Sequence, residues 1–158
     1  MNDLVSIKEK DVKILSVSSE AFENRGYIPI KYTCDGINTN PPIDINNIPE
    51  DTKSLVLIVD DVDAPIRAWT HWIIWNVSPG KKIKENSHSG MEGINDFRQH
   101  HYGGPCPPSG THRYHFKVYA LDEMLFLKKD STKYELEKTM SSHIIAFGEL
   151  IGIYRRAL

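Results

Sequence analysis

Two apolar stretches set the strongest limit on how this chain folds. Residues 54–59, SLVLIV, run without a break after the serine, and residues 71–77, HWIIWNV, are apolar on both faces. A strand wetted on one side alternates apolar and polar residues, whereas a strand buried on both sides does not. These two stretches therefore belong in the middle of a sheet that is covered above and below. A third stretch, RYHFKVYAL at 113–121, does alternate: Tyr114, Phe116, Val118 and Ala120 point one way, Arg113, His115 and Lys117 the other. By that parity His112 faces inward with Tyr114, and His115 is expected to be a solvated surface residue. VKILSV (12–17) and YIPIKYTC (27–34) also read as strands, bounded by turn formers such as ENRG, CDG and NPP.

The period changes near the C-terminus. Leu136, Met140, Ile144 and Phe147 follow helical spacing, and Thr132 with Glu135 forms a capping box, so STKYELEKTMSSHIIAFGELIG predicts an amphipathic helix lying on the sheet. His143 sits at the edge of that stripe and is assigned to packing. Residues 80–104 form a long, polar, glycine-bearing segment, and long ordered connections in compact domains tend to carry function.

With 158 residues, 40% hydrophobic and 25% charged, the chain is expected to form one domain spanning residues 1–158 with a substantial core. A net charge of -2 and a pI near 6.4 exclude the broad positive field used to bind nucleic acid. No apolar run approaches the roughly 20 residues of a membrane span. The stretch MNDLVSIKEKDVKILSV lacks the charged-then-apolar layout of a signal peptide, so a cytoplasmic location without stable membrane insertion is expected. The two cysteines, Cys34 and Cys106, are too few for a disulfide framework or a cysteine-rich zinc site. Whether they pair depends on the fold bringing them together, and a pair would point to a thermophilic cytosol or an exported protein.

Two groups of residues carry chemistry. The first is DDVDAP (60–65) followed by WTHW (69–72): Asp60, Asp61 and Asp63 close an apolar strand, Pro65 stops it, and His71 opens the next. Ions removed from water need partners, since each costs several kcal/mol to desolvate. His71, His112, Arg113 and loop amides are the candidates, and a carboxylate beside an imidazole fixes its tautomer and favours the charged ring. The second is YGGPCPPSGTH (102–112), where proline stiffens the loop and glycine lets backbone approach a ligand. Such a loop is either a rigid connection or a cradle presenting its remaining amides to an anion.

These two groups, with KYTCDGINTNPP (31–42) and ELIGIYRR (149–156), resemble the phosphatidylethanolamine-binding protein family, in particular its prokaryotic Raf-kinase-inhibitor-like branch. The resemblance runs from about residue 12 to the end. It implies a mainly-β fold, a Greek-key β-sandwich with a C-terminal amphipathic helix and short peripheral helices. It also implies a small cavity for phosphate, acetate-like anions or a phospholipid head group. The implied ligand-binding residues are Asp61, Asp63, Pro65, Trp69, His71, Tyr102, Gly104, Cys106, Pro107, Pro108, His112 and Tyr114. Val62 stands where the family usually has proline, and the resemblance further suggests a cis Ala64–Pro65 bond.

The function expected from these residues is a non-catalytic binding protein for a small anionic or phosphate-bearing ligand, with a possible role in signalling and no cofactor. The alternative is an inhibitor of a protease or kinase acting through an exposed loop, and a homodimer is compatible with the resemblance. A hydrolase built on Cys106 and His112 is a weaker reading, because spacing does not establish hydrogen-bond reach or thiol activation, and Ser109 lacks a nucleophile elbow. A metal site using His71, His88, His100, His101 and His112 has no recognisable ligand spacing. Loop positions explain His88, His100 and His101 more simply. Trp72 and Trp75 are assigned to the core and Trp69 to the edge of the pocket.

Overall fold

The computed structural model describes residues 12–157; most of the N-terminal stretch read for a leader lies outside them. Its strands are β1 (Lys13–Ile14), β2 (Ser16–Ser18), β3 (Ile43–Asn46), β4 (Ser54–Asp61), β5 (Trp69–Val77), β6 (Lys82–Ile83), β7 (Met91–Glu92), β8 (His112–Leu121) and β9 (Ile144–Tyr154), with one helix, α1 (Lys133–Met140). Six strands form a sheet in the order β1-β9-β8-β4-β5-β7, and β2-β3-β6 form a second sheet of three. Neighbours in the large sheet are antiparallel except β1 and β9.

Every residue of β4 is buried, as its unbroken apolar run requires. Leu55, Leu57 and Val59 join Trp72, Ile74 and Phe116 in a core shared with Ile43, Ile45 and Ile83 of the small sheet. Val56 and Ile58, on the opposite face, join Ile73, Trp75 and Tyr119 in a second core closed by Leu136 and Met140 of α1. Trp72 and Trp75 are thus core residues on opposite faces.

The structure departs from the sequence-based expectations in four places. The helix keeps its capping box at Thr132 and Glu135 but ends at Met140. Residues Ile144–Tyr154 are instead a strand paired with nearly the whole of β8. Ile144 and Phe147 do pack on the same core as Leu136 and Met140, which is why the helical spacing looked continuous. Two glycines explain the strand: a Cβ on Gly148 would lie 2.3 Å from the Leu15 carbonyl, and one on Gly152 2.5 Å from Ile28. Close backbone approach of that kind is a use of glycine within a strand.

Residues 27–34 are not a strand. Pro29 cannot donate to a ladder, and the chain forms a 3-10 turn at Ile30–Tyr32 with a single bridge from Tyr27 to Ile153. No cis peptide bond occurs among the described residues, so Ala64–Pro65 is trans. The turn there is closed by Asp63 N–H donating to Asp61 Oδ1 at 2.9 Å and by a left-handed Ile66 with φ 74°. His115 is half-buried rather than solvated, with Nδ1 3.1 Å from Glu149 Oε2 across the β8–β9 pair.

Asp60 shows where a buried strand-end charge finds its partners. It is fully buried on the helix-covered face, and its Oδ2 accepts from Lys133 Nζ at 2.7 Å and Lys117 Nζ at 3.5 Å. The first contact ties the start of α1 to the sheet. Asp60→Ala is expected to cost about 3 kcal/mol in urea unfolding, because two largely buried ammonium groups lose their shared carboxylate.

Candidate functional site

The other strand-end aspartate points to the opposite face. Asp61 Oδ2 lies 2.6 Å from His112 Nδ1, and both residues are buried. A carboxylate accepts, so the ring proton sits on Nδ1 and Nε2 is the remaining polar atom of the imidazole. His71 reaches the same place through a break in register. Val59 pairs with Trp72 and Asp60 with Thr70, which leaves His71 as the extra residue of a β-bulge. By strict alternation His71 would share a face with Ile73; the bulge re-aims it toward Asp61. Its Nδ1–H donates to the Gly103 carbonyl at 2.6 Å. Burial holds its pKa below the ordinary histidine value, outweighing the opposing pull of the Gly103 carbonyl and of Asp61 and Asp60. His71 is therefore a neutral ring near pH 7, not the imidazolium expected beside a carboxylate.

These groups floor a cavity of about 350 Å³ lined by Asp61, Ala64, Pro65, Trp69, His71, Phe97, Cys106, Pro108 and His112. Tyr114 lies behind them, its ring 5.3 Å from that of His71 and 6.5 Å from that of His112. Its hydroxyl is buried, with the Asp61 carboxylate and the Cys106 backbone as its polar neighbours. Burial, with the Asp61 charge adding to it, pushes the phenol pKa up, so it is a protonated donor. Larger hollows of about 420 and 560 Å³ lie elsewhere. In the first of these the carboxylates are already answered, Glu85 by Lys31 and Tyr32 and Glu92 by Trp72 and His88.

The glycine- and proline-rich loop forms one wall, and it is clamped in place. Cys106 is disulfide-bonded to Cys34. Cys34 N–H donates to the Pro105 carbonyl at 3.1 Å, Gly104 N–H to Asn38 Oδ1 at 2.7 Å, and the Tyr102 hydroxyl to the Tyr32 carbonyl at 2.7 Å. A Cβ at Gly104 would sit 2.3 Å from the Tyr32 carbonyl, so only glycine fits there. The amides of Gly103 and Gly104 are consumed by His71 and Asn38. They lock the loop, so these two amides are not part of an amide cradle for a ligand.

Of the twelve residues singled out in the sequence, Asp61, Pro65, Trp69, His71, Cys106, Pro108 and His112 line this cavity. Tyr114 supports its floor, while Tyr102 and Gly104 fasten the wall to residues 32–38. Pro107 borders a different hollow with Tyr27 and Arg155. Asp63 is engaged by Arg113, which donates Nε–H and Nη2–H at 2.9 and 2.8 Å. Phe97 was missed. It packs edge-on against His71 at 5.0 Å and Trp69 at 5.8 Å. Asn95 holds it there: its Nδ2 donates to the His71 and His101 carbonyls, and its Oδ1 accepts from the amides of Phe97 and Gln99. The length of the 80–104 segment was the available signal, and it could not single out these two residues. Among the described residues no three of His, Cys, Asp and Glu are grouped to hold a metal ion.

Arg113 holds the Asp63 carboxyl down to about 2. A depressed carboxyl contributes stability above its unfolded pKa and loses it as pH falls through the folded value. Asp63→Asn is expected to cost about 0.5–1 kcal/mol in urea at pH 7, a small figure because Arg113 is half exposed. That difference should vanish as pH falls from about 4 to about 2.

Fold and cavity together define a small mainly-β protein organised around one strand-end cavity. Residues 18–155 match the profile of the phosphatidylethanolamine-binding protein family. A UPF0098 protein of Pyrococcus abyssi is 50% identical, with 94% of this chain and 87% of that protein covered. The crystal structure of a phosphatidylethanolamine-binding protein homologue from Chlamydia trachomatis superposes with a TM-score of 0.87 at 39% identity, over 92% of this chain and 99% of the other. The structure of E. coli YbcL, described as a new member of the mammalian family, gives 0.84 at 26% identity, over 90% and 99%. This chain belongs to the phosphatidylethanolamine-binding protein family. No helix among the described residues is long and apolar enough to cross a membrane.

Proposed function

We propose that this chain is a non-catalytic binding protein whose cavity takes a small anion or the phosphate group of a larger ligand. The observation that carries this reading is the convergence on one anion-sized space of His112, braced by Asp61, and a neutral His71. The apolar rim of Trp69, Phe97, Pro65 and Pro108 excludes water and strengthens each hydrogen bond inside. A hydrolase using Cys106 has no free thiol while the disulfide stands. That bond also bears on location: disulfides persist in oxidising compartments and in the cytosol of hyperthermophiles, so a cytoplasmic site is proposed only for a host of the second kind.

Neutral His71 offers a lone pair to the cavity and becomes a donor on taking a proton. Because burial lowers its pKa, binding of an anion is coupled to proton uptake, and affinity for inorganic phosphate should rise as pH falls from 8 toward 6. Isothermal calorimetry should show His112→Ala and Asp61→Asn weakening phosphate binding at least about tenfold at a temperature where circular dichroism shows both variants folded. His71→Gln should flatten the pH dependence. Unchanged affinity in both His112→Ala and Asp61→Asn would refute the reading.

A further inference from the structure

The disulfide does more than close a loop, because one of its sulfurs belongs to a residue in the cavity wall. Cys106 lines the same 350 Å³ cavity as Asp61 and His112, and both cysteines are half-buried, within reach of a small thiol. The clamp around the bond does not depend on it alone. The contacts from Cys34 N–H to Pro105, Gly104 N–H to Asn38 and the Tyr102 hydroxyl to Tyr32 hold the wall independently of the two sulfurs. Breaking the bond therefore leaves Cys106 in the cavity. The same cavity is lined by His112, an imidazole whose Nδ1–H is already held by a carboxylate, the setting that stabilises a thiolate–imidazolium pair where the two come within reach.

We propose that the Cys34–Cys106 bond is a reducible cap on a reactive thiol, so that the cavity is an anion site when oxidised and a thiolate–imidazolium site when reduced. This rests on the anion-binding reading for its oxidised half only. In the reducing step a dithiol attacks the bond as thiolate, forms a mixed disulfide, and closes on itself. The S–S bond of the protein breaks, Cys34 and Cys106 leave as two thiols, and the dithiol departs as a cyclic disulfide, having given up two electrons and two protons. The Cys106 proton then passes to His112 Nε2, and Asp61 stabilises the resulting imidazolium. The titratable groups that share the cavity with Cys106 are Asp61, His71 and His112. The thiolate places a negative charge where an anion would sit, so reduction expels phosphate, and a disulfide oxidant restores binding.

Two comparisons test this with the full chain. Cys34→Ala leaves Cys106 as a lone thiol, and its alkylation by iodoacetamide at pH 6.5–7 should be at least about tenfold faster than in Cys34→Ala/His112→Ala, with a lower midpoint on the pH–rate profile. In calorimetry, phosphate affinity should fall about tenfold or more on reduction of wild type with dithiothreitol and equally in Cys34→Ala. Cys106→Ala, which removes the thiol along with the bond, should bind phosphate at least about threefold more tightly than Cys34→Ala. Equal alkylation rates in the two Cys34→Ala proteins would overturn the thiol–histidine pairing. A loss of phosphate in Cys106→Ala as large as in Cys34→Ala would overturn the competition and assign the effect to a loosened wall. If oxidised wild type binds no phosphate, the anion reading itself falls, and the alkylation comparison still decides the pairing.

Discussion

The central strand ends in two adjacent carboxylates, and everything at this end of the molecule answers them. Alternation sends Asp60 to one face of the sheet and Asp61 to the other, both buried. Neither can remain an isolated ion there. Asp60 is answered by Lys117 and Lys133, which fastens α1 onto the sheet. Asp61 is answered by the His112 ring and the Asp63 amide, which fixes an imidazole tautomer and turns the chain after β4. One aspartate is spent on architecture and its neighbour on the cavity.

The loop at 102–108 follows from the same demand for precision. An imidazole aimed at a small ligand is useful only where the backbone behind it is fixed. The Gly103 carbonyl orients His71, and the adjacent amides and the disulfide pin that carbonyl's loop to residues 32–38. Closing a loop across a sequence separation of 72 also restricts the unfolded chain, a contribution of about 4 kcal/mol in the chain-entropy account. On another wall the Asn95 side chain, with four hydrogen bonds, holds Phe97 against His71 and Trp69. Both walls are stiff, and the floor carries the titratable groups.

Much of this was legible in the residues. The apolar continuity of 54–59 places β4 at the centre, and the alternation of 113–121 puts His112 and Tyr114 on the inner face. What escaped was set by contacts distant in sequence. The bulge that turns His71 is a mismatch between two strands, and no property of either strand alone reveals it. Helical spacing at 136–147 was a coincidence of one core receiving residues from a helix and then a strand. The glycines at 148 and 152, which bring Leu15 and Ile28 close, were the overlooked warning. Phe97 and Asn95 lie in a polar segment without periodicity, so their roles appear only once that segment is folded over β5.

The account's central claim is that Asp61, His71 and His112 enclose a place for an oxyanion. A crystal structure grown from phosphate tests it most directly. The account predicts tetrahedral density in this cavity, within hydrogen-bond distance of the His112 and His71 rings. A cavity filled only by water, with phosphate seated instead beside Arg155 in the neighbouring hollow, would contradict it.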